Sequence, residues 1–226
     1  MEEQRDAIID LLVNKAAVKQ DIADYSEEVL NRFHEIMEDE LGKLKGKVVD
    51  ERVRLKVDRK GSHEFVLYVG SDVLVFQLHR NIFRLPDEHS IWKTPYIQEN
   101  GANAYFGMIN IYNFLAESFE QRRLNDAGYL IGRIFMNHNR HFMVEGKGQL
   151  GFLFNDLANN TLTDDTIRQI LHTAIMYSIE FDLITPPYDM VQQISVMEIQ
   201  AMSSQLQTAT GKRLGFKFSG EDKNVF

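Results

Sequence analysis

The chain has 226 residues, 44% of them hydrophobic, enough for one large core or two small ones, and it contains no cysteine. Disulfide frameworks, thiol nucleophiles and thiolate metal sites are therefore excluded. A formal net charge of −8 disfavours general nucleic-acid affinity. Glu2, Glu3 and Asp6 stand where a signal peptide would be basic, and no apolar run approaches the roughly 18 residues of a bilayer span. The expectation is a cytoplasmic protein with no membrane partner.

The first 46 residues read as a helical extension. Ala7, Ile8, Leu11 and Leu12, with Lys15 and Lys19 outside, predict a short amphipathic helix over 6–19. Asp24 with Glu27 three residues on resembles a capping box, which predicts that a second helix starts there. Ile22, Tyr25, Val29, Phe33, Ile36 or Met37, Leu41 and Leu44 recur at spacings of three and four. Such a stripe either packs on the domain's own sheet or forms a dimerising coiled pair. Gly42 and Gly46 end it, with lysines that complement the helix dipole. Gly42-Lys43-Leu44-Lys45-Gly46-Lys47-Val48 falls one residue short of a P-loop and has Val48 where Mg²⁺ needs a hydroxyl.

Residues 47–218 then read as a single α+β domain, with a frayed tail over 219–226. Val53, Leu55 and Val57 alternate with Arg52, Arg54 and Lys56, predicting a strand with one wet, basic face. From Lys43 to Lys60 eight basic residues face only Asp50, Glu51 and Asp58. A solvated edge, or a docking site for an acidic partner or phosphate-rich ligand, would account for them. Phe65–Val69 and Val73–Leu78 flank Gly70-Ser71-Asp72 as a hairpin, and Ile82–Leu85 continues the meander to Pro86. Residues 86–102 read as a long loop carrying His89, the lone Trp92 and Tyr96, and Trp92 with Tyr96, Tyr105 and Phe106 nearby can line a pocket under it.

Tyr105–Tyr112 reads as a strand, followed by a helix over 113–124, although one helical face through the whole segment also fits. Tyr129–Met136 and His141–Val144 form a second hairpin around Asn137–Arg140. If its loop held two residues, His138 and His141 would face each other closely enough to share a metal. Leu150–Phe154 is a strand or a short helix. Thr163 caps a helix whose buried face is Ile167, Ile170, Leu171, Ala174, Ile175 and Ser178. Pro186-Pro187 closes that unit, Met190, Ile194, Met197 and Ala201 suggest another helix, and Leu214, Phe216 and Phe218 a last strand.

Gly146-Lys147-Gly148-Gln149-Leu150-Gly151 spells G-x-G-x-x-G. A dinucleotide site also needs a following strand closed by an acid about 20 residues on. A kinase needs a lysine on the next strand, and none occurs between Lys147 and Lys212. A phosphate-cradling turn aided by Lys147 and plain turn or bulge glycines stay open. No G-x-S-x-G elbow or H-E-x-x-H is present, and no cofactor is indicated.

Hairpins outnumber crossovers, so the fold class is α+β: an antiparallel sheet flanked by helices, with N-terminal and C-terminal helices. That element order also occurs in GAF- and PAS-type sensor domains, a likeness of order alone without shared residues. Two functions fit. One is a non-enzymatic, sensor- or adaptor-like module that binds a small anionic ligand or an acidic protein and forms a homodimer through its N-terminal helix. Its ligand residues would be His89, Trp92, Tyr96, Gly146, Lys147 and Gly148. The other is an enzyme for a phosphorylated or anionic substrate held by the Gly146–Gly151 turn. His138, His141 or His89 would then move protons or bind a metal.

Overall fold

A computed structural model describes residues 1–181, 187–190 and 192–200. Six strands form one antiparallel sheet in strict chain order: β1 (Leu55–Arg59), β2 (Glu64–Val69), β3 (Asp72–Arg84), β4 (Tyr105–Leu115), β5 (Tyr129–Met136) and β6 (Phe142–Gly146). The class is α+β, as the hairpin signals predict. Val69 pairs with Asp72, so Gly70 and Ser71 alone make the β2–β3 turn, with Gly70 at φ +60°. Val53 lies outside β1; only Leu55 and Val57 turn towards the core. Ile82–Arg84 is no separate piece of meander. It prolongs β3 past a register shift between His79 and Phe83, where the ladder to β4 bends.

The N-terminal helix corrects the sequence reading. α1 (Glu2–Leu11), a π turn (Leu12–Ala16) and α2 (Ala17–Lys45) run on without a break. No Gly or Pro occurs before Gly42, so nothing in the sequence breaks the helix at the expected junction between residues 19 and 24. Asp24 is therefore interior, its carboxylate accepting a bond from Gln20 Nε2 at 2.8 Å.

The stripe on α2 packs on the protein's own sheet. Ile22, Leu30, Phe33 and Met37 are fully buried, and Phe33 lies against Phe76, which stacks on Phe65 at 4.6 Å. α6 (Asp164–Glu180) covers the same face, capped reciprocally by Thr163 and Thr166 and burying the expected side chains from Ile167 to Ser178. Arg32 of α2 joins Asp164 of α6 through both its Nε and Nη2.

The other face carries two smaller apolar groups. At one end the 86–104 segment covers Phe106, Met108, Phe135 and Met143 with Leu85, Ile91, Ile97 and Ala104. It is not a bare loop but a chain of short turns: a 3₁₀ turn (Ser90–Lys93), α3 (Pro95–Glu99) and a second 3₁₀ turn (Gly101–Ala104). At the other end α4 (Ala116–Glu120) lies by Val66, Val73 and Val75. The predicted helix over 113–124 shrinks to these five residues because Asn113 and Leu115 pair with Leu74 and Asp72 of β3.

α5 (Gln149–Leu153) resolves the ambiguity after β6 in favour of a helix. The outer edge of β6 is covered: Phe142 N–H reaches Asn160 O, and Val144 N–H reaches Phe154 O at 2.7 Å. β1 is the open edge, short and charged. Much of its basic neighbourhood is paired within the chain: Arg52 with Asp50, Arg54 with Glu120, Lys56 with Asp58. Among the described residues no helix is long and apolar enough to cross a membrane. The helix read through Met190–Ala201, the Pro186-Pro187 stop, the strand at Leu214–Phe218 and the tail 219–226 lie wholly or partly outside the described residues.

Candidate functional site

A cleft of about 410 Å³ opens where the π turn passes the 86–104 segment. That volume lies in the range of small-molecule sites, ~300–1,000 Å³. Its aromatic walls are Trp92 and Tyr105. Trp92 is fixed by its indole N–H, which donates to Pro86 O at 2.8 Å, just after that proline halts β3. Arg84, the last residue of β3, lays its guanidinium 4.2 Å from the Trp92 ring centre and pairs with Asp87 at 2.6 Å. Tyr105 opens β4, and the ammonium groups of Lys15 and Lys19 lie 6.0 Å and 5.2 Å from its ring centre.

The helix contributes Asp10, Leu11, Asn14 and Lys15, two i, i+4 rows on one face. Asn14 Nδ2 donates to Asp10 Oδ1 at 2.6 Å, which occupies that carboxylate. Among the described residues no carboxylate pairs with Lys15 or Lys19, so the cleft keeps cations beside π faces. Asn100, Gly101 and Ala102 close it; a β-carbon on Gly101 would meet nothing within 4 Å. Of the aromatics singled out from sequence as pocket-lining, Trp92 and Tyr105 lie here, whereas Phe106 is buried in the core and Tyr96 lies elsewhere. The helix residues carried no sequence signal linking them to Trp92, because about 80 residues separate the two walls.

Tyr96, His138 and His141 meet instead in a polar knot between α3 and the β5–β6 loop. Asn137, fully buried, donates through Nδ2 to the Tyr96 hydroxyl at 3.0 Å and to Asn103 O at 3.2 Å. Its Oδ1 accepts from the backbone N–H groups of Asn139 and His141. His138 Nε2 bonds Asn103 Oδ1 at 3.0 Å, while His141 bonds Leu157 O through Nδ1 and stacks on Tyr96 at 4.9 Å. Met136 pairs with Phe142, so the loop holds residues 137–141 rather than two, with Arg140 at φ +64°. The two imidazoles therefore do not face each other across a tight turn; each has its own partner. Burial pushes the His138 imidazole down from its ordinary value, with the Asp21 carboxylate opposing. No group of three or more His, Asp or Glu side chains in metal-binding reach occurs among the described residues.

His89 lines a second hollow, of about 390 Å³, with Ser90, Met143 and Asp156. Its Nδ1 accepts from Ile91 N–H and its Nε2 faces Glu145 at 3.5 Å, so neither nitrogen is an unengaged base. The glycine string lies at the opposite end of β6 from His141. Lys147 N–H bonds Ile131 O at 2.9 Å, and Gly148, at φ +53°, borders a third hollow of about 210 Å³ beside Tyr177. A β-carbon on Gly146 would lie 2.9 Å from Ile131 O, and one on Gly151 2.4 Å from Gly146 O. These glycines serve close backbone approach. Lys147 follows β6 whereas His138 and His141 precede it, so the length of that strand separates the turn lysine from the hairpin histidines.

No protein-family model, curated protein or solved structure matches this chain. The likeness in element order to GAF and PAS domains gains no support from these comparisons.

Proposed function

We propose that this protein is a non-enzymatic, cytoplasmic ligand-binding module that takes a small aromatic anion in the cleft beside Trp92 and self-associates through its N-terminal helix. The observation that carries the ligand reading is the pairing of cations with ring faces: Lys15 by Tyr105 and Arg84 on Trp92, around a space of about 410 Å³. An aromatic ring enters between the walls, and its anionic group meets Lys15, which has no carboxylate partner among the described residues.

Trp92 is the chain's single tryptophan, so its emission reports on this cleft alone. Titration with phenyl phosphate, benzoate and inorganic phosphate is expected to give a saturable change with one of the aromatic anions. Lys15→Ala should weaken that binding about 10- to 100-fold, the loss of one charge-assisted hydrogen bond. Gly101→Leu, built into open space, should block it. A flat titration with all three probes, together with native mass spectra free of excess mass, overturns the reading.

A further inference from the structure

With the outer edge of β6 covered, β1 is the sheet's unpaired edge among the described residues. Two bonds to β2 fix which way its peptides point. Gly70 N–H donates to Arg54 O and Lys60 N–H to Glu64 O, both at 2.8 Å. Leu55 pairs with Val69 and Arg59 with Phe65, so it is residues 54, 56, 58 and 60 that exchange bonds with β2. The N–H and C=O groups of Leu55, Val57 and Arg59 therefore point away from the sheet, and among the described residues nothing bonds to them. Such an edge is a template for one more strand.

The side chains on this edge say which strand fits it. Leu55 and Val57 lie against the core, while Lys56 and Asp58 stand on the opposite face and pair with each other at 2.6 Å. A second β1 laid antiparallel, about a two-fold axis perpendicular to the sheet, must match outward peptides to outward peptides. Its register therefore moves in steps of two residues, and three registers overlap at least three residues of β1. With the axis at Lys56, the two Lys56 ammonium groups oppose each other; with it at Asp58, the two carboxylates do. With it at Val57, Lys56 of each copy lies opposite Asp58 of the other, and all five residues of β1 are paired. Opposite charges across strands stabilise the pair, and like charges directly opposite destabilise it. Arg54 then comes level with Lys60 of the second copy, but Glu120 already holds its guanidinium at 3.0 Å. The charges that guard this edge against other strands thus select its own copy.

We propose that β1 pairs antiparallel with β1 of a second copy about a two-fold axis at Val57. The peptides of Leu55, Val57 and Arg59 join the two sheets into one, and Lys56 and Asp58 of both copies form a ring of alternating charge. This surface is separate from the N-terminal helix and from the cleft, and it stands without either.

A five-residue ladder is a small contact, so chemical trapping suits it, and the chain has no cysteine of its own to interfere. In this register positions 56 and 58 form a non-hydrogen-bonded pair with Cα atoms about 4.5 Å apart, within disulfide reach. The like positions lie on diagonals of about 7–8 Å, beyond it. Under mild oxidation, full-length Lys56→Cys and Asp58→Cys chains mixed at high micromolar concentration should form the mixed disulfide in preference to either symmetric one. Preferential self-linking of either variant, or a statistical mixture of all three products, overturns the register. No linking in any mixture overturns the interface. Native mass spectra of Lys56→Asp and Asp58→Lys chains should show each monomeric alone and the two paired when mixed. Equal pairing of either variant with itself overturns the selection by charge. Sedimentation of the unmodified chain at low micromolar concentration tests the helix-mediated association separately: a monomer there overturns that reading, while the disulfide pattern still decides this one.

Discussion

Gly151 and Gly42 are chemically identical and structurally opposite. A β-carbon on Gly151 meets the Gly146 carbonyl at 2.4 Å, which only a backbone shift relieves, whereas one on Gly42, inside α2, meets nothing within 4 Å. Gly151→Ala is expected to destabilise by about 1–3 kcal/mol through overpacking, and Gly42→Ala to stabilise by roughly 0.5–1 kcal/mol. Urea midpoints of the two variants should move in opposite directions. Equal shifts would mean that the Gly146–Gly151 turn is looser than described. Among the histidines, burial favours neutral His138, so the folded chain binds fewer protons there than the unfolded chain. The stabilisation is present above about pH 6.5 and is lost as pH falls below that value. In His138→Gln the decline of the urea midpoint over that window should be shallower. An identical slope in both proteins would show that His138 does not contribute to it.

The stripes on α1 and α2 show how far periodicity reads. Both place branched or aromatic residues three and four apart, yet Phe33 is fully buried and Ile9 is 51% exposed. Periodicity identifies an apolar face; it does not say what covers it. Phe33→Ala should therefore cost about 3–5 kcal/mol as a core truncation, while Ile9→Ala should stay within roughly 0.5 kcal/mol when measured on dilute monomer. Comparable losses at the two positions would place Ile9 against the body of the same chain. The break predicted at Asp24 failed for a related reason. Asp24 and Glu27 resemble a capping box, but a cap works only where the preceding residues leave the helix, and Gln20, Asp21, Ile22 and Ala23 remain in it. At 113–124 the helical spacing was real, and the β3–β4 ladder took precedence over it.

The two faces of the sheet bind the molecule together through shared strands. Phe33 and its neighbours lie on the face covered by α2 and α6, and Trp92 packs against the apolar group on the other face. If these form one cooperative unit, Trp92 emission and far-UV circular dichroism should report the same urea midpoint. Phe33→Ala should then lower both midpoints equally, although Trp92 lies across the sheet. Separate transitions would divide the chain into independently folding parts. The cleft itself exists only in the assembled molecule, since its walls come from residues 10–15, 84, 92 and 100–105.

Much of the local structure is legible in this sequence. The Gly70 turn, the hairpin at 129–144, the Thr163 cap with its buried face, and hence the α+β class all follow from residues within a few positions of one another. Such features depend on spacing along one chain segment, which the sequence displays directly. Tertiary structure alone decided which apolar stripe the sheet covers, and that Lys15 of the N-terminal helix reaches the cleft of Arg84, Trp92 and Tyr105. Those outcomes depend on contacts between distant segments, and no periodicity or motif in a single sequence encodes which distant surface a given side chain will meet.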